Sequence, residues 1–191
     1  MQPIDAPRIG PLPEDQWDED LAALVNQRWT EKPGQDPPSP QNLFRTLARH
    51  RELFRVWGEF GRVVLNSQLP ARDRELLVLR SAWLTQGRFE WAHHEPLARS
   101  LGITAEEIQR IVAGPEEPGW DELDATLLRA VDELHETGRL SDATWAVLRP
   151  RYDDEQLIEI PVIVGQYHLV AYLTNSLGIA PSDRLPSLPT P

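Results

Sequence analysis

At 191 residues the chain has the length of a single domain with enough material to bury a substantial core. Nineteen basic against 30 acidic residues give a formal charge of −11, a field that disfavours nucleic acid and anionic membrane as partners. The absence of cysteine excludes disulfides, thiolate metal sites and thiol-based redox or nucleophilic chemistry from these residues. No apolar run approaches the ~20 residues of a bilayer span, and the start lacks a basic segment followed by an apolar one, so the expected location is the cytoplasm.

Most of the 18 prolines lie before residue 41 or after residue 180. "MQPIDAPRIGPLP" reads as an extended arm, "EKPGQDPPSP" as a surface loop and "APSDRLPSLPTP" as a tail. Within the N-terminal arm, Leu21, Leu24 and Val25 mark a helix over 14–29. Pro40, following Ser39, suits a first helical position and opens a helix running through His50, with another over 51–66. "LPARDRELLVLRSAWLTQ" predicts a helix over 71–86, and "RFEWAHHEPLARSLGI" the next, with a kink at Pro96. Thr104 and Glu107 form a capping-box pattern ahead of Ile108, Ile111 and Val112. An amphipathic helix spans 121–137 and stops at Gly138, and Ser141 caps a short helix to Leu148. A long apolar helix covers 154–177, ends at Gly178 and carries a kink at Pro161. Sustained two-residue alternation is absent, so the fold class is all-α. The division expected is an N-terminal arm with one helix over 1–39, a helical domain over 40–180 and a tail over 181–191.

Helical spacing puts polar groups on apolar faces. Glu75 shares a face with Leu79, Ala82 and Gln86, or pairs with Arg72 or Arg74 in solvent. Glu90, His94, Leu97 and Leu101 share another, with His93 about 60° to one side of Glu90. Burying a carboxylate and imidazoles is costly unless they bond each other or serve a purpose. A Glu90–His94 pair can share a proton, the acid orienting the ring and raising its basicity, which suits acid/base catalysis near neutral pH. The alternative is a self-satisfied structural pair with His93 exposed. On the last helix His168 shares a face with Val164, Tyr172 and Asn175, as a core histidine or as a pocket wall.

"EWAH" is a Glu-x-x-His step of the kind used in helical di-iron sites. Its only near match is Asp132…His135, so a metal site on Glu90, His93 and His94 stands as an alternative and not as the main reading. No catalytic-triad pattern, phosphate-binding glycine loop or dinucleotide fingerprint occurs.

Residues 69–114, "LPARDRELLVLRSAWLTQGRFEWAHHEPLARSLGITAEEIQRIVAG", resemble the core of the carboxymuconolactone decarboxylase and alkyl hydroperoxidase D-like superfamily. "IPVIVGQYHLVAYLTNSLGI", residues 160–179, is similar to the closing helix of its longer members, and the resemblance spans roughly 40–180. It implies an alkyl hydroperoxidase D-like helical bundle flanked by proline-rich arms. It also implies that Glu75 matches the family's acid and His94 the histidine that ends its Glu-Trp-x-x-His motif. The two cysteines of the peroxidase branch fall here at about Gly87 and Glu90, so the chain departs from that branch at both redox positions. What the resemblance leaves is the decarboxylase-like branch, generally cofactor-free and assembled as symmetric oligomers.

The expectation is therefore a cofactor-independent lyase or isomerase, a decarboxylase of a small oxygenated organic acid or lactone, forming a dimer, trimer or hexamer. His94 is the principal proton donor, Glu90 tunes it, and Glu75 is a second acid/base or binds water. His93, His168 and Tyr172 line the substrate site, Trp91 or Trp83 walls it, and Arg88 or Arg80 holds a carboxylate. Two other readings stay open: a non-catalytic small-ligand-binding or assembly module on the same scaffold, and a Glu/His metal-dependent enzyme.

Overall fold

The computed structural model describes residues 6–28, 41–181 and 185–190. The 31–40 loop and the helix start at Ser39 and Pro40 lie outside them. Among the described residues the regular structure is helical throughout, apart from one 3-10 turn at Glu14–Gln16. The helices are α1 (Glu19–Arg28), α2 (Gln41–Leu47), α3 (Arg51–Leu65), α4 (Ala71–Leu84), α5 (Arg88–Ser100), α6 (Ala105–Ala113), α7 (Glu122–Thr137), α8 (Asp142–Leu148) and α9 (Asp154–Leu177).

The ends of these helices follow their local chemistry. Thr104 and Glu107 close the reciprocal capping box expected for α6, and Asp153 with Gln156 builds another at α9. Asp121 and Ser141 cap α7 and α8 through their side-chain oxygens. Gly138 (φ 74°) and Gly178 (φ 71°) take the left-handed conformation that stops α7 and α9. The predicted helix through His50 ends instead at Leu47, because the His50 ring turns back to accept from the Leu53 N–H and caps α3. Pro96 and Pro161 are both accommodated inside uninterrupted helices.

α4 is the centre of the bundle, packed against α5, α6, α7 and α9. Every residue from Glu75 to Ala82 is buried, so no side of the helix is left to solvent and its sequence shows little amphipathic contrast. The main core joins α4 to Trp91, Ile111, Leu127, Leu128, Ile160 and Ile163. A second cluster joins Leu21, Leu43, Leu47 and Phe54 to Phe89 of α5 and Val170 of α9. The arm is laced over this second cluster by backbone bonds from Arg8 N to Leu177 O (2.8 Å) and from Leu12 N to Arg45 O (3.0 Å). Helix α9 is long and apolar enough to cross a membrane by length and composition alone, but over half of that stretch is buried inside the bundle.

Arg80 ties α4 to its neighbours at the centre. Its guanidinium is 7% exposed, grips Asp132 on α7 through Nε and Nη2 (2.7 and 2.9 Å), and donates to Ile111 O and Val112 O (2.8 and 3.0 Å). With its donors committed, Arg80 is a brace between helices and not the substrate-carboxylate ligand entertained above. Gly114 (φ 118°) packs so closely behind it that an added Cβ would lie 3.1 Å from Nη2.

Candidate functional site

Helices α4, α5 and α9 each bring one polar face to a common place. Glu75, on the second turn of α4, is 0% exposed. Its Oε2 accepts from His94 Nδ1 on α5 (2.7 Å), and its Oε1 accepts from the neighbouring Arg74 Nε (3.0 Å). Burial works to raise the Glu75 pKa, but the His94 and Arg74 contacts outweigh it and hold the carboxyl below its usual range. An ionised Glu75 fixes a proton on Nδ1 of His94, so Nε2 is the ring nitrogen left to exchange a proton. The His94 side chain keeps 13% exposure, and Nε2 bonds to no described residue. The result is an oriented acid–imidazole dyad with one working nitrogen.

Glu90 behaves differently from the expectation of an intrahelical Glu90–His94 pair. The ring of His94 turns to α4, and Glu90 reaches α9, where Oε1 meets Thr174 Oγ1 at 3.0 Å. Its Oε2 is buried without a partner against Gly87, where an added Cβ would lie 2.3 Å away. Burial pushes the Glu90 carboxyl up to about 7, despite opposing contributions from its own backbone N–H, Thr174 and the charge of His94. The hydrogen-bond count agrees with a neutral acid. Thr174 has one hydroxyl proton and two acceptors in reach, Glu90 Oε1 and Ala171 O (3.3 Å), and both contacts become bonds only if Glu90 carries a proton. The site therefore holds two carboxyls pushed apart: Glu75 ionised, Glu90 proton-bearing towards neutrality.

The other predicted residues are placed as follows. His93 turns towards the second core cluster, its Nδ1 on Phe89 O (2.7 Å), its ring 4.3 Å from that of Phe89, and its Nε2 buried without a partner. Desolvation lowers its pKa, so it is a neutral ring. Trp91 is 1% exposed inside the main core, and Trp83 is partly buried against it. Arg88 is exposed at the first residue of α5, about 120° around that helix from His94. His168 is paired away from the dyad: its Nδ1 donates to Val164 O (2.8 Å) and its Nε2 accepts from His135 Nδ1 on α7 (2.9 Å). Tyr172 is 59% exposed, edge-on to His168 with ring centroids 6.2 Å apart. Asn175 donates to Thr85 O (2.9 Å). Glu75, Glu90 and His94 are thus brought together, whereas His168, Tyr172 and Arg88 are not brought to them.

The alternative metal set does not converge. His93 and His94 direct their Nδ1 atoms to Phe89 O and Glu75, and Asp132 and His135 are engaged by Arg80 and His168. Among the described residues no three His, Asp or Glu side chains are grouped as a metal would need.

Sequence periodicity passed over three contributors. Arg74, expected as a solvent partner of Glu75, is the second donor to that carboxylate, with its side chain 11% exposed. Thr174, the partner of Glu90, lies on the long apolar helix four turns and more from its polar start, with nothing in its neighbours to mark it. Tyr167 stands perpendicular to the His94 ring (88°) with centroids 4.8 Å apart. A tyrosine within an apolar run reads as core; only the position of α5 reveals its neighbour.

Comparison with known proteins places this geometry in context. Residues 51–133, which carry Glu75, Glu90 and His94, match the model of the carboxymuconolactone decarboxylase family. No curated protein matches the sequence. Among solved structures, an uncharacterised peroxidase-related protein from Ralstonia eutropha JMP134, described as an alkylhydroperoxidase AhpD core, superposes with a TM-score of 0.76 at 19% identity, covering 92% of this chain and 94% of that one. A protein of unknown function from Agrobacterium tumefaciens, a putative antioxidant defence protein AhpD, gives 0.63 at 23% identity over 71% and 94%. The debrominase Bmp8 bound to 2,3,4-tribromopyrrole gives 0.67 at 14% identity over 92% and 91%. The family match and the shared fold agree with each other: residues 51–133 are similar to the carboxymuconolactone decarboxylase family, on a helical fold like that of the alkylhydroperoxidase AhpD core.

Proposed function

We propose that the protein is a cofactor-independent lyase or isomerase, and specifically a decarboxylase of a small oxygenated organic acid or lactone. The observation that carries this reading is the Glu75–His94 contact of 2.7 Å, which leaves His94 Nε2 free, beside a second carboxyl raised to about 7. An imidazole with a fixed tautomer and a protonated acid supply proton removal and proton return at one place near neutral pH. The family name and the debrominase among the structural relatives support a small-molecule enzyme on this scaffold. With no cysteine in the chain, proton transfer is the chemistry that its own side chains offer at this place.

In the proposed reaction the bond to a substrate carboxylate breaks and carbon dioxide leaves. The electron pair stays behind as an enolate, and His94, having first taken up a proton at Nε2 from solvent, delivers it to form the new C–H bond. Glu75 balances the charge on the ring as that proton is gained and lost. Glu90, proton-bearing below about pH 7, restores the proton through a water. The exposed apolar side chains of α9, Ile158, Leu169 and Tyr172, support assembly into an oligomer.

The reading is tested by following carbon dioxide release from a panel of 3-oxo acids and carboxylated lactones by wild type and His94→Gln. A loss of about 10²–10⁴-fold in the variant, with an unchanged circular dichroism spectrum, is expected. Release at near wild-type rate by His94→Gln refutes the assignment.

A further inference from the structure

Helix α9 places one more polar atom at this site. The ring of Tyr167 sits edge-on to His94, at 4.8 Å between centroids, and the residue is only 6% exposed. Its hydroxyl bonds to no described residue, although Glu75, Arg74 and Glu90 are all near enough to act on it electrostatically. The His94 side chain beside it keeps 13% exposure, and its Nε2 likewise bonds to no described residue. An unmet phenol O–H beside a free imidazole nitrogen is an incomplete hydrogen-bonding arrangement that a bound molecule can complete.

We propose that Tyr167 is a catalytic residue that donates its hydroxyl hydrogen bond to a substrate carbonyl oxygen while His94 Nε2 exchanges a proton at the adjacent carbon. This rests on the decarboxylase reading and narrows its substrate to acids or lactones whose carbonyl lies β to the departing carboxylate. As the carbon–carbon bond breaks, its electron pair moves into the enolate. The oxygen that gains the charge is the one held by Tyr167, and carbon dioxide departs. The new C–H bond then takes its proton from His94, the carbonyl re-forms, and Tyr167 keeps its own proton throughout. Such a donor is strengthened as charge develops on its acceptor, which is the differential that accelerates the step. Burial, with the Glu75 charge, pushes the phenol well above its ordinary range, so it serves as a donor across the neutral region.

The experiment is a spectrophotometric titration of wild type, Tyr167→Phe and His94→Gln with 4-nitrophenol, whose phenolate mimics an enolate and has its own visible absorbance. Wild type is expected to bind the phenolate and lower its apparent pKa. Tyr167→Phe, which keeps the ring and its packing, should lose at least about tenfold in phenolate affinity while binding nitrobenzene unchanged. Failure of wild type to bind the phenolate, or equal binding by Tyr167→Phe, overturns the proposal. Where 3-oxo acids are turned over, Tyr167→Phe should lower kcat by about 10²-fold with KM little changed, and an unaltered kcat overturns it as well. Because the titration needs no turnover, bound phenolate without carbon dioxide release would count against decarboxylation and still support Tyr167 as the donor.

Discussion

Replacing Glu90 by Gln isolates the energetic consequence of a carboxyl that burial keeps protonated. In the folded chain this group is raised from 4.5 to about 7. Between those values the native protein holds a proton that the unfolded chain has released, so stability is full below the lower value and falls as pH rises through the upper. Each pH unit in that window costs about 1.4 kcal/mol, or about 3 kcal/mol by pH 8. Glutamine never ionises, keeps an N–H donor for Thr174 and occupies nearly the same volume. Urea unfolding of both proteins at intervals from pH 4 to 8 should therefore show a difference that is flat at the acid end. It should then grow in favour of Glu90→Gln to about 3 kcal/mol, or ~6–12 °C in Tm for a chain of this size. All other titrating groups are common to the two proteins and cancel in the comparison. Parallel stability curves across the whole range would show that Glu90 is not held as a neutral acid, and the acid role assigned to it would fall.

Gly87 and Arg80 provide two further checks. Gly87 has an ordinary φ of −75°, so Gly87→Ala adds no backbone strain and acts through its Cβ, which would lie 2.3 Å from Glu90 Oε2. The displaced carboxyl should lose most of its dry environment, and the pH-dependent gain from Glu90→Gln should shrink by at least half in a Gly87→Ala background; an undiminished gain contradicts the contact. Arg80→Met leaves Asp132 and two backbone carbonyls without their donor and should cost about 3–5 kcal/mol in urea unfolding. A loss under ~1 kcal/mol would show that water can replace the brace.

How much of this was readable from sequence depends on the range of the interaction. The Thr104–Glu107 box, the Asp121 and Ser141 caps and the Gly138 and Gly178 stops are decided within a few residues, and each lies where the pattern puts it. Glu75, Leu79 and Ala82 are all buried as the wheel suggests, but the wheel does not say which helix will face them. That is why His94 was paired with Glu90 one turn away and not with Glu75 on α4. Both side chains lean towards the N-terminus of α5, so an i,i+4 pair is easily imagined, yet each found a better partner across a helix interface. His168 illustrates the same limit, since its partner His135 is 33 residues away on α7. Arg80, expected with Arg88 as a candidate carboxylate ligand, reaches instead to Asp132 on α7.

The lacing of Arg8 to Leu177 has a consequence for biogenesis. The arm leaves the ribosome long before α9, but the surface that receives Arg8 is finished only when the last turn of α9 has been made. Trp17, Leu21 and Val25 gain Leu43, Leu47 and Phe54 early, but their cluster is completed only when Phe89 and Val170 follow. The acids and prolines interleaved with them, from Pro11 to Asp20, suit that delay, since repulsion and a missing N–H both discourage premature association.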